Sequence, residues 1–150
     1  MNGMIDDQTP PMPLAVSAAF DAFPAPARDR LIELRRIIFR VADEKGVGPL
    51  TETLKWGEPA YLTEATRTGS TIRLGWHRNL PDHVAIYVNC RTNLVDRFKA
   101  TFFDAVECSG NRALLQRIDQ PTQTGILAIC IGMALTYHHD KAVEGAGAHG

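Results

Sequence analysis

Cysteine is scarce in this chain. The three residues, Cys90, Cys108 and Cys130, form an odd set with no C-x-x-C spacing. That argues against a disulfide framework or a zinc knuckle and points to reduced thiols in a cytoplasmic protein. Charge of one sign is equally lacking: 16 basic and 17 acidic residues leave a net charge of -1. The basic footprint of a nucleic-acid binder is therefore missing, as is a polybasic run suited to a membrane surface. The longest strongly apolar stretch, Ile126 to Leu135, is well short of the roughly 20 residues a bilayer span needs, so a buried helix is expected there. The first residues, MNGMIDDQTP, are acidic and do not read as a signal peptide. G-x-G-x-x-G, a phosphate loop ending in Gly-Lys-Ser/Thr, G-x-S-x-G and H-E-x-x-H all fail to occur. The well-marked nucleotide, hydrolase and metalloprotease classes fall away with them, and the balance leans away from an enzyme.

What is present suits one domain. A chain of 150 residues that is 45% hydrophobic and 22% charged can bury a sizeable core without staples. Residues 1–13 carry three prolines and no periodicity and read as a flexible leader. A short helix over Leu14–Phe23 stops at Pro24, because the residue before a proline disfavours helical backbone. Leu31, Leu34, Ile38 and Val41 then recur at helical spacing and predict a long helix opened by Pro24 and Pro26 and stopped by Gly46. Arg35 lies at the edge of that stripe and needs a partner if covered; Glu52 is the natural one. Thr51–Leu62 reads as extended chain broken at Gly57 and Pro59.

The middle of the chain predicts a hairpin. Ile72, Leu74 and Trp76 alternate with polar residues, as do Val84, Ile86 and Val88. Placing His77 opposite His83 pairs Trp76 with Val84, Leu74 with Ile86, Ile72 with Val88 and Arg73 with Tyr87. A slip of one residue would set apolar side chains against polar ones. A helix is expected over Arg91–Thr101, strands over Phe103–Glu107 and Arg112–Arg117 about a Ser109-Gly110-Asn111 turn, and a single long helix over Thr122–His138. The last residues, 140–150, read as a flexible Gly/Ala-rich tail.

Two constellations carry chemistry. His77, Asp82 and His83 meet at the mouth of the predicted hairpin, and two imidazoles with a carboxylate can hold a metal with open positions. The plainer alternative is that they are solvated loop residues. Trp56, Tyr61, Trp76 and Tyr87 supply aromatics for a cleft, although packing in the core is the commoner fate of such side chains, and Trp76 belongs to the inward face of its strand. Arg73 opposite Tyr87 is either a cation–π pair or an anion-recognising arm, and Lys55 is a further orienting cation.

One segment has a family likeness. Glu52-Thr53-Leu54-Lys55-Trp56-Gly57-Glu58-Pro59-Ala60-Tyr61, preceded by a helix with Leu34, Arg35 and Ile38 and followed by His83-Val84-Ala85-Ile86-Tyr87, resembles the YdhG-like family, a domain of unknown function. The likeness covers about residues 15–139. It implies an α+β fold in which a curved antiparallel sheet packs against the first and last helices. Some relatives are described as frataxin-like iron chaperones, so the resemblance also implies an iron-carrying alternative. This chain departs from the pattern at Trp76–His83, where relatives place a lysine and a shorter loop. The carboxylates available for iron, Asp43, Glu44, Glu52, Glu58 and Glu64, are scattered along the chain.

Together these features lead us to expect a cytoplasmic, non-enzymatic binding module. Its small-ligand cleft is expected near Trp56 and Tyr61, with Arg73, Tyr87 and Lys55 contributing. The alternatives are an iron carrier using His77, Asp82 and His83, and an interaction domain that forms a homodimer. Binding of nucleic acid or membrane is not expected.

Overall fold

The computed structural model describes residues 9–149, the last four of them as helix backbone only. Residues 1–8 of the expected leader lie outside the described residues. The architecture is α+β: among the described residues five α-helices accompany a six-stranded sheet whose neighbouring strands all run antiparallel.

Helix α1 (Leu14–Asp21) buries Val16 and Phe20, and α2 (Ala25–Lys45) follows with Pro24 as its N-cap. The periodic stripe of α2 faces inward: Leu31, Leu34 and Ile38 are wholly buried. Each such side chain contributes roughly 1.5–3 kcal/mol by leaving water. The helix ends at Gly46, in left-handed backbone.

Strands β1 (Thr51–Lys55) and β2 (Glu58–Leu62) form a hairpin around Trp56 and Gly57. Strands β3 (Ile72–Gly75) and β4 (His83–Tyr87) pair in the expected register, Leu74 with Ile86 and Arg73 with Tyr87. The ladder stops at Gly75–Ala85, short of the histidines. Beyond it two tight turns take over: Leu80 N donates to His77 O at 2.9 Å and His83 N to Leu80 O at 3.2 Å. Trp76 packs against the core and its Nε1 donates to Pro81 O at 3.1 Å.

Helix α3 (Leu94–Phe102) leads into a 3-10 turn, Phe103–Ala105, where a strand was expected. The strand, β5, comes later, at Glu107–Ser109. Phe103 has φ 49°, a left-handed backbone that no strand contains, and it turns the chain before pairing begins. Strand β6 (Ala113–Arg117) lies between β4 and β5, giving the order β1-β2-β3-β4-β6-β5.

The expected closing helix is two helices, α4 (Thr124–Leu135) and α5 (Tyr137–His149), and α5 occupies most of the segment expected as a tail. The break is caused by a segment distant in the chain. Thr68 and Ser70 dock on the end of α4 and supply its hydrogen bonds: Thr68 Oγ1 donates to Leu135 O at 3.0 Å and Ser70 N to Ala134 O at 2.8 Å. Thr68 O accepts the first free amides of α5, from His138 at 2.8 Å and His139 at 3.0 Å. These groups satisfy helix ends that would otherwise be orphaned.

The register divides the sheet into two faces. Tyr61, Ile72, Leu74, Val84, Ile86, Val88 and Leu114 join the buried residues of the helices in one core. The other face has its own small cluster, Ala85, Ala113 and Leu115 beside Tyr87, to which no helix contributes.

The β1–β2 turn carries a measurable cost. Trp56 and Gly57 have φ of 56° and 77°, and positive φ at both central positions is what a type I′ turn requires. Glycine adopts that backbone freely, whereas a left-handed residue with a side chain costs roughly 1–2 kcal/mol. The indole recovers little of this by packing, since Trp56 is 90% exposed. Trp56→Asn, which suits the turn, is therefore expected to raise stability by about 0.5–1 kcal/mol. Urea denaturation measures it, and a loss of stability would mean that the indole is held by contacts of its own.

Candidate functional site

The residues expected to share one cleft are dispersed. Tyr61 is fully buried on the inward face. Its hydroxyl donates to Glu52 Oε2 at 2.8 Å, and Arg35 reaches the same carboxylate through Nε at 2.6 Å and a terminal nitrogen at 2.8 Å. Arg35 also lies 4.9 Å from the centroid of the Phe39 ring, and Phe39 meets Tyr61 edge-on. Burial, reinforced by the charge of Glu52, holds the Tyr61 hydroxyl far above the ordinary tyrosine range, so it stays a neutral donor. Tyr61 is thus architecture. Trp56 stands in solvent at the hairpin tip beside Lys55, which is also exposed. The expected cleft between Trp56 and Tyr61 does not form, because alternation along β2 sends Tyr61 to the core while the turn carries Trp56 away from it.

Arg73 and Tyr87 do meet, on the face without helices. The guanidinium carbon lies 5.2 Å from the Tyr87 ring centroid, and the guanidinium also pairs with Glu58. Burial pushes the Glu58 carboxyl above the usual carboxylate range despite Arg73. The guanidinium and the carboxylate are partly buried and paired with each other.

The expected metal set is likewise separated. His77 is exposed and its Nδ1 accepts from Asn79 N at 3.1 Å; Asp82 is exposed; His83 is buried. His83 Nε2 lies 3.0 Å from Glu107 Oε1, and its Nδ1 is buried with no partner. The cause is the pair of tight turns that replaces the end of the β3–β4 ladder. Among the described residues no group of three or more His, Cys, Asp or Glu side chains could hold a metal ion. Of the scattered carboxylates, Glu52 and Glu58 are taken by arginines, and Asp43, Glu44 and Glu64 are exposed.

A concave site lies elsewhere, at the other edge of the sheet. An open cleft of about 470 Å³ separates the segment 104–107 from the end of β6 and the loop 120–123. Helix α2 fixes its back wall. Arg30 donates to the carbonyls of Arg117 at 3.0 Å, Ile118 at 3.3 Å and Gln120 at 2.6 Å, and Glu33 accepts from Thr122 Oγ1 at 2.6 Å. Two glutamines tie the walls together: Gln123 Nε2 donates to Ala105 O at 3.0 Å, and Gln116 Nε2 donates to Gln123 Oε1 at 2.9 Å. Val106, Leu115 and Pro121 supply apolar lining, and Asp104 and Glu107 supply carboxylates.

This cleft exists because β5 pairs with β6 only as far as Glu107–Leu115. The next partners of the ladder would be Val106 opposite Gln116 and then Ala105 opposite Arg117, but the chain enters the sheet only after the 3-10 turn of Phe103–Ala105 and its cap Val106, and neither pair forms. Gln116 was the available sign in the sequence. It stands opposite Val84 on the inward face, where the alternation calls for an apolar residue, and it is 5% exposed. Comparison with family models, with curated proteins and with solved structures finds no match.

Proposed function

We propose that the chain is a non-catalytic binding domain that holds a small molecule in the cleft between residues 104–107, the end of β6 and the loop 120–123. The observation that carries this reading is the cleft itself. Its volume of about 470 Å³ falls within the range usual for ligand sites, its lining mixes apolar walls with a few fixed polar groups, and α2 holds it in shape before anything binds. The state of the thiol beside Glu107 suits binding better than nucleophilic catalysis. The described thiol nearest in sequence to the His83–Glu107 pair, Cys108, pairs with Leu114 on the inward face, and burial pushes its pKa up.

A thermal-shift screen with a metabolite library tests this. A ligand at a hundredfold excess over its Kd stabilises the folded state by about 2.7 kcal/mol, and Gln116→Leu should abolish the shift of a genuine hit. A library with no hit, or hits indifferent to residue 116, would reject the site.

A second reading, association with a protein partner or a second copy, is favoured by Trp56. An indole left 90% exposed on a strained turn is the kind of aromatic anchor that dominates interfaces. Sedimentation over a range of concentrations decides it: self-association that Trp56→Ala abolishes supports the reading, and a monomer throughout removes the homodimer.

A further inference from the structure

The geometry points to a small organic cation, a primary ammonium carried on a short apolar body, as the ligand of the cleft; this rests on the binding reading above. The argument starts from the two glutamines. Ala105 O is a carbonyl and can only accept, so the end of the Gln123 side chain facing it must be the NH2 group. Gln123 therefore turns its carbonyl oxygen to Gln116, and Gln116 must meet it with its own NH2 group. The relay ends with Gln116 Oε1, which accepts no hydrogen bond among the described residues although Gln116 is 5% exposed and lines the cleft. Chemistry thus fixes which end of a nearly buried amide is on offer: an acceptor.

The charges agree. Asp104 and Glu107 line the cleft with Arg117, whose guanidinium is engaged by Asp119 at 2.9 Å and 2.7 Å. Three carboxylates against one guanidinium leave a formal charge of -2 at the opening (-3 and +1), with His83 beside Glu107. Arg30, behind the wall, donates to three backbone carbonyls and lies 3.4 Å from Glu33. An ammonium has three donors and no acceptor, which matches Gln116 Oε1 and the carboxylates. Val106, Leu115 and Pro121 suit a hydrocarbon body. An anion would face the carboxylates, and a neutral alcohol would use the amide oxygen while forgoing the charge.

Amide-resolved NMR titration with n-butylammonium, sodium butyrate and 1-butanol tests this on the full chain. The expected result is saturable shifts of the Val106, Leu115 and Gln116 amides with n-butylammonium, at a millimolar Kd appropriate to so few atoms. Butyrate and butanol should bind at least about tenfold more weakly. Glu107→Gln, at an exposed position, and Gln116→Met, of similar volume, should each weaken the ammonium about tenfold. Butyrate binding as tightly as the amine, or an amine Kd unchanged in both variants, overturns the assignment. If none of the three probes moves these amides while a library hit does, only the ligand class is wrong. If nothing in either set moves them, the cleft reading falls as well.

Discussion

Glu52→Ala is expected to destabilise the fold by about 3–5 kcal/mol, because it leaves a buried guanidinium without its counter-ion. The side chains of Arg35 and Glu52 are only 5% and 6% exposed. Removing the carboxylate takes away both of its hydrogen bonds from Arg35 and orphans the Tyr61 hydroxyl, which has no other acceptor among the described residues. What remains to Arg35 is Pro10 O at 2.7 Å and the face of Phe39. Replacing both charges together, Arg35→Met with Glu52→Leu, should cost much less, since a buried ion pair contributes little net stability against apolar residues of similar volume. Urea denaturation of the single and double variants checks this, and a single-variant loss below about 1 kcal/mol would show that water reaches the pair.

The same cluster sets an alkaline limit. An unfolded tyrosine ionises near pH 10, while in the folded chain burial and Glu52 keep Tyr61 protonated well above that. Above about pH 10 the unfolded state has lost a proton that the folded state retains, so stability is complete below that pH and declines as pH rises. Tyr87 is shifted in the same direction, chiefly by burial, and adds to the decline. Tyr61→Phe should flatten the alkaline slope while lowering stability at neutral pH through the lost hydrogen bond. An unchanged slope between pH 9.5 and 11, roughly the range over which free tyrosine titrates, would sink this account.

The Arg35–Glu52 pair was legible in the sequence, and so was the register of β3 with β4, for one reason. Both follow from periodicity: a charge at the edge of an apolar helical stripe must find a partner, and two half-buried strands tolerate one alignment. What could not be read depends on contacts between distant segments. Nothing local announces that α4 stops at Thr136, because the groups that end it, Thr68 and Ser70, lie far back in the chain. Likewise, the late start of β5 rests on the positive φ of Phe103, a conformation that its sequence does not advertise. The cleft inherits this illegibility, since it is the gap that the missing Val106–Gln116 and Ala105–Arg117 pairings leave. Aromatic count pointed instead to Trp56 and Tyr61, although two-residue alternation along β2 already sends Tyr61 inward, beside the Glu52 that the helix charge needed. The metal set fails for a related reason: carrying the strand register on past Trp76 and Val84 sets His77 against His83, but the ladder ends at Gly75–Ala85 and the chain turns twice there instead.

Gly69→Ala should be the costliest methyl group to add at any described glycine, at least about 3 kcal/mol. A Cβ at Gly69 would overlap the backbone of Leu135, at its carbonyl oxygen, carbonyl carbon and Cα. Backbone at a helix end has no rotamer with which to give way, so the whole loop must lift. Lifting it breaks a connected set of bonds: Ser70 N to Ala134 O, Thr68 Oγ1 to Leu135 O, the two amides of α5 on Thr68 O, and Gly69 N to Thr63 Oγ1 at 2.9 Å. These bonds end α4 and begin α5, so the variant should also speed hydrogen exchange at the His138 and His139 amides beyond what global destabilisation produces. Gly125→Ala is the matching control. It adds the same methyl group in the first turn of α4, where a Cβ meets nothing within 4 Å, and should stabilise by up to about 1 kcal/mol through helix propensity. Denaturation curves for the two variants separate steric cost from any general effect of replacing glycine. A Gly69→Ala protein within about 1 kcal/mol of the parent, a range that surface substitutions ordinarily reach, would mean that the 66–70 loop does not rest on the end of α4, and the explanation for the break between α4 and α5 would fail with it.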